Sequence, residues 1–199
     1  MAQHDEHLDI QTFLRWLRDN SEDAILDPNT KERAAFMPLK TVKKHLEENS
    51  GARLKELLRT VFSPNDPLVD SATILKSYTQ IFCILVEIGK CHFIVSFTCS
   101  SPGDSRLPYV DEAPPSDFPI DTTDPEFYKN FCKKQWKFCV PELESPMTNK
   151  RFHPDLILPI VSKEVITASG SAMLYKIQLH GLYNRLSSQA SRDGVWHDV

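Results

Sequence analysis

Glycine is scarce in this 199-residue chain, with 6 glycines against 14 prolines. A loop that cradles phosphate needs several glycines close together, because a residue without Cβ lets backbone N–H groups approach an anion. The scarcity argues against such a loop and for helices separated by rigid connections. No Walker-type G-K-S/T occurs. Long apolar runs are missing as well. The most apolar stretch, residues 81–97, is interrupted by Glu87, Lys90 and His92. Its unbroken part, residues 81–86, falls far short of the about 20 residues a membrane span needs. It reads as a buried helix followed by a second short buried element, with Gly89 near the break. Cysteine is limited to Cys83, Cys91, Cys99, Cys132 and Cys139, an odd number with no CxxC spacing. That excludes the familiar zinc and disulfide frameworks and leaves reduced thiols packed as small hydrophobes. Excess positive charge is also lacking: 23 basic against 27 acidic residues give a net charge of −4. Binding nucleic acid through bulk charge is not expected. The start, MAQHDEHLDI, is polar and acidic, unlike a signal peptide. The expected location is the cytoplasm, with the nucleus left open.

Charge is unevenly distributed. Residues 63–124 carry 9 acidic and 3 basic side chains, and residues 125–199 carry 7 acidic and 10 basic. These are either solvated surfaces or regions that attract each other or separate partners. Helical spacing predicts helices over about 8–20, 39–48, 52–62 and 71–88, the last capped by Asp70 or Ser71. Asn49-Ser50-Gly51 separates the second from the third, and Asp27-Pro28-Asn29 reads as a turn. Residues 101–125 hold six prolines and the acids Asp104, Asp111, Glu112, Asp117, Asp121 and Asp124, which predicts an extended surface loop. Asp124-Pro125-Glu126 predicts a helix start. In that helix, 125–139, Lys129, Lys133 and Lys137 repeat every four residues as a basic stripe. The stripe is a solvated face or a docking surface for the acidic loop or a partner.

Seven histidines are scattered. His4 and His7 are poor metal ligands at a polar end, and His92 is expected as a satisfied core residue. Asp111-Glu112 lacks a frame that would fix two carboxylates for acid–base work. Residues 161–166 and 173–179 are β-prone runs around the small residues 167–172, which predicts a hairpin on physical grounds alone.

From Phe131 the chain reads FCKKQWKFCVPELE and later LPIVSKEVITASGSAMLYKIQLH. Lys134-Gln135-Trp136, Phe138, Leu158-Pro159-Ile160, Lys163-Glu164 and Leu174-Tyr175-Lys176-Ile177 resemble a segment of fungal protein-kinase-like proteins. In that group a helix with a Gln-Trp motif precedes a leader and the first two strands of the kinase small lobe. Residues 81–97 and Ser105-Arg106-Leu107-Pro108 resemble its amino-terminal region. The resemblance implies that the hairpin corresponds to the glycine-rich loop over the nucleotide. Ile166, Thr167, Ser169, Gly170, Ala172 and Leu174 would then be the cofactor-contacting positions. The three glycines are replaced by Thr167, Ser169 and Ala172, so the loop is degenerate. No H-R-D or D-F-G occurs, and no lysine follows Lys176. Lys176 follows the tyrosine of the second strand and is not the catalytic lysine.

The expected fold is therefore mainly α: a helical domain followed by a short C-terminal β-hairpin resembling the start of a kinase small lobe. The expected divisions are 1–100, a helical region; 101–124, the acidic proline-rich loop; 125–140, a helix completing the helical domain; and 156–199, a kinase-like fragment. The expected function is a non-catalytic, pseudokinase-like module. It needs no cofactor and binds a protein partner or an adjacent kinase domain, with Lys129, Lys133 and Lys137 as candidate contacts. Nucleic acid and membrane are not expected partners, and no metal or catalytic residue is assigned. The alternative is the N-terminal part of an active ATP-dependent kinase whose catalytic region lies beyond this chain.

Overall fold

Phe13 and Leu17 lie one turn apart, and both are fully buried by α1 (Ile10–Asp19). Asp9 caps this helix, accepting from the Thr12 N–H at 2.7 Å. The computed structural model describes residues 9–27, 30, 32–62, 69–145, 150–169, 172–186 and 196–198. The chain divides into two units: residues 1–20 with 39–138, and residues 21–38 with 139–199.

The first unit is helical. In α2 (Leu39–Val61), Asn49, Ser50 and Gly51 take φ of 56°, 58° and 77°, a left-handed run that breaks the helix where the sequence places the interruption. Arg53 spans the break, reaching His45 Nδ1 at 2.8 Å and Glu48 Oε2 at 3.0 Å. The single helix expected over 71–88 is two, α3 (Ser71–Ser77) and α4 (Thr79–Glu87), separated at Tyr78. Asp70 caps α3 through the Ala72 and Thr73 N–H groups. At the break, the Thr79 hydroxyl lies 3.1 Å from both the Ile74 and Leu75 carbonyls.

A 3-10 turn (Cys91–Phe93) leads into α5 (Ile94–Ser100), and Gly89 (φ +69°) makes the bend before it. A second 3-10 turn (Gly103–Arg106) opens the acidic segment, and α6 (Phe127–Gln135) closes the unit. α6 starts two residues after Pro125. Asp124 Oδ1 accepts from the Glu126 N–H at 3.1 Å and so shapes the turn before the helix. Phe97, Tyr109, Phe118 and Phe131 form an aromatic cluster with ring centroids 5.2–5.9 Å apart.

The second unit is built from strands. β1 (Glu22–Asp27) and β2 (Glu32–Phe36) pair antiparallel. β3 (Leu143–Glu144) pairs in parallel with β6 (Asn184–Arg185). β4 (Ile160–Ser169), β5 (Ala172–Leu179) and β7 (Trp196–Asp198) form a sheet in the order β4-β5-β7. Leu143, Ile160 and Leu179 make its buried core, packed by Phe152, Leu158, Ile177 and Leu186. Residues 21–38 join this unit by identifiable contacts. Phe36 packs edge-on against His180 and Tyr183, and His180 Nε2 lies 2.9 Å from Glu22 Oε2.

The expectation of a mainly helical protein is corrected by these sheets. The described residues contain seven strands in three sheets, so the fold is mixed α and β. The physical reason lies partly in residues 22–36. Charges on Glu22, Asp23, Asp27, Glu32 and Arg33 hide a weak alternation in which Ala24 and Phe36 point inward. No helix among the described residues is long and apolar enough to cross a membrane.

Candidate functional site

The β4–β5 hairpin is where the sequence places its candidate cofactor loop. Ser169 pairs with Ala172, and Thr167 pairs with Leu174. Ile166 occupies a bulge, because Val165 pairs with Tyr175 while Thr167 pairs with Leu174. Gly170 lies outside the described residues. The described apolar side chains toward the tip are exposed: Val165 by 45 %, Ile166 by 47 %, Met173 by 57 % and Leu174 by 43 %. Lower on the hairpin, Lys163 Nζ sits 4.3 Å from the centre of the Tyr175 ring. Lys176 is a ladder residue, facing Glu164 on β4 and Asp198 on β7.

The candidate lysines do not form one free stripe. Lys129 pairs with Glu126 at 2.9 Å on the surface. Lys133 is exposed on α6. Lys137 lies beyond the end of α6, bonded to Glu87 and placed over the Phe138 ring. Lys134 also approaches Glu87, at 3.8 Å. The acidic segment is held by other bases. Lys90 Nζ bonds Asp121 at 2.6 Å and Asp124 at 3.1 Å, which holds the Asp121 carboxyl well below the usual range. Arg106 reaches Asp117 at 3.3 Å and Asp111 at 3.6 Å, and lies over the Tyr109 ring.

The Lys134-Gln135-Trp136 motif has a local physical role. The Gln135 side chain is fully buried, and its amide closes a two-bond clasp on Tyr109. The Tyr109 N–H donates to Gln135 Oε1 at 2.8 Å, and Gln135 Nε2 donates to the Tyr109 carbonyl at 2.6 Å. Trp136 and Phe138 are buried beside it. The clasp fastens the proline-rich segment to α6.

Local sequence patterns do not reveal the role of Asp104. Its carboxylate accepts from the Gln80 and Ile81 N–H groups, each at 3.0 Å, and so caps α4 from 23 or more residues away. Burial raises its carboxyl to about 6; the backbone bonds and the Lys43 charge oppose the rise, while Tyr78 and Cys83 also face it. A raised carboxyl favours the folded state most in acid, and that contribution is lost as pH climbs through about 6. Asp104→Asn keeps an acceptor without the charge. Relative to this variant, the wild type is expected to lose about 2 to 3 kcal/mol of stability between pH 4 and pH 7. Urea titrations at each pH measure the difference, and a pH-independent gap would refute the assignment.

Among the described residues, His45 is the buried imidazole, stacked on Trp16 at 3.8 Å and lowered to about 4, mainly by burial. His92, expected in the core, is exposed. Cys83 and Cys91 are buried and their thiols pushed up by burial, Cys91 to about 11, so neither favours the thiolate. Cys99 is exposed, and Cys132 and Cys139 are half-buried. Among the described residues, no group of three or more His, Cys, Asp or Glu side chains is placed to hold a metal ion.

No family model matches the chain, no curated protein matches it, and no solved structure matches it.

Proposed function

We propose that this chain is a non-catalytic, kinase-related interaction module that acts by binding protein. The carrying observation is the β4–β5 hairpin. It supports the reading in two ways. It is an antiparallel pair over the residues that resemble the first two small-lobe strands, with Ile160 opposite Leu179 and Ser169 opposite Ala172. It also presents exposed Val165, Ile166, Met173 and Leu174 around positions where a nucleotide cradle needs glycine. Bulky apolar groups suit a protein surface better than a triphosphate, whose charge demands backbone N–H groups and cations.

Thermal denaturation with Mg·ATP tests this reading. ATP at about 100 times its dissociation constant would add roughly 2.7 kcal/mol, raising Tm by roughly 5 to 10 °C for a chain of this size. The expected result is no shift and no transfer of phosphate from ATP to protein or peptide acceptors. Phosphate transfer above background overturns the reading in favour of an active kinase, whereas a dose-dependent rise in Tm overturns only the expectation that the degenerate loop does not hold nucleotide.

A further inference from the structure

Between buried Pro119 and buried Phe127 lies a stretch, residues 120–126, in which no residue is buried. Ile120 is 76 % exposed, so no apolar anchor holds the stretch down. Its other bonds are local. The Thr123 N–H and hydroxyl reach Asp121 Oδ1 at 2.9 and 2.6 Å, and Asp124 Oδ1 accepts from the Glu126 N–H. Glu126 pairs with Lys129 in the first turn of α6. Among the described residues, the longer-range side-chain ties of the stretch run to Lys90, whose Nζ meets Asp121 Oδ2 at 2.6 Å and Asp124 Oδ2 at 3.1 Å. The Asp121 side chain is only 6 % exposed. Its charge therefore has little water to replace the ammonium if Lys90 is withdrawn.

The preceding part of the segment is held differently. Gln135 clasps the Tyr109 backbone, and Phe118 packs among Phe97, Tyr109 and Phe131. Arg106, Tyr128 and Ser100 reach Asp111 and Asp117. We propose that residues 120–126 are an ionic flap, latched by Lys90, that lifts between Pro119 and Phe127 when the lysine is released while residues 107–118 stay seated. Pro119 suits the hinge, because it has no N–H and so no backbone bond to break there. Lifting carries Ile120 away with the two carboxylates. It also withdraws the charges that hold Lys90 over the Phe127 ring, 5.9 Å from its centre. The closed flap thus presents a neutralised ion cluster, and the open one presents a free cation beside an aromatic ring.

The flap does not depend on what the β4–β5 hairpin binds, and a failure of either reading leaves the other standing. Backbone 15N relaxation of the full chain tests it. In the wild type, residues 120–124 should show order parameters near the rigid level of about 0.85. In Lys90→Met, which keeps the length of the side chain and removes its charge, they should fall below about 0.6 while Tyr109 and Phe118 stay rigid. The double variant Asp121→Asn/Asp124→Asn keeps a side-chain oxygen for the Thr123 and Glu126 N–H groups but ends the ion pairs. It should loosen the same five residues, and it decides alone if Lys90→Met does not fold. Three results overturn the proposal: a stretch already mobile in the wild type, a stretch that stays rigid in the double variant, or Tyr109 and Phe118 loosening together with it.

Discussion

Replacing Gly103 with alanine should destabilise the helical unit by about 2 to 5 kcal/mol. Gly103 has φ +86°, where a side chain costs energy in any surroundings. An added Cβ would also meet the Ser77 carbonyl oxygen at 2.2 Å, with the Ser77 carbonyl carbon at 3.2 Å and the Tyr78 ring at 3.3 Å. The obstacle is backbone at the α3–α4 break, which cannot rotate aside like a flexible side chain. Gly103 precedes Asp104, so the backbone shift needed to admit the methyl group pulls the carboxylate off the Gln80 and Ile81 N–H groups. Gly89→Ala is the matched control, because its φ is +69° but nothing lies within 4 Å of the added Cβ. It should cost only about 1 kcal/mol. Urea unfolding followed by far-UV circular dichroism checks both variants. Equal midpoints would refute the close-approach account.

Gln135→Leu is expected to cost about 2 to 4 kcal/mol, because it leaves the Tyr109 N–H and carbonyl without their partner in a buried site. Side-chain volume is nearly preserved, so a cavity contributes little. Exchange of the Tyr109 amide should accelerate in this variant. Gln135→Glu gives a distinct signature. One carboxylate oxygen still accepts from the Tyr109 N–H, but the other faces the Tyr109 carbonyl unless it carries a proton. The new carboxyl is therefore raised in the folded state, and the variant should be most stable in acid and weaken as pH rises through that raised value. If both variants match the wild type in urea midpoint, Gln135 is not a clasp.

The helices were largely legible because their signals are local. Phe13 and Leu17 mark α1, Asn49-Ser50-Gly51 marks the break in α2, and Asp70 marks the cap of α3. The break at Tyr78 was not legible, since Asp104, which caps α4, lies more than twenty residues away. The acidic segment was readable as a surface connection. Its anchors, Lys90 and Arg106, were not, because charge counts say nothing of pairing and the lysines of α6 looked equally suitable. β1 and β2 escaped because their alternation is diluted by charge, and the strand unit they join is encoded far down the chain. Of the candidate site, the hairpin itself followed from residue type, but its register did not: residues 167–169 and 172, expected in the connection, are strand, and two bulges in β4 shift the pairing. The exposure of Met173 and Leu174 depends on tertiary surroundings that local pattern does not carry.

The strand unit draws its first piece from residues 21–38 and the rest from residues 139–199. This imposes an order on synthesis. At about 5 to 20 residues per second, the β1–β2 pair leaves the ribosome roughly 5 to 20 seconds before the first residues it packs against exist. A lone two-stranded pair is marginal in water, so that piece waits unformed while the helical unit between has time to fold. Among the described strands, β1 and β2 are thus made before their partners and secured only after them.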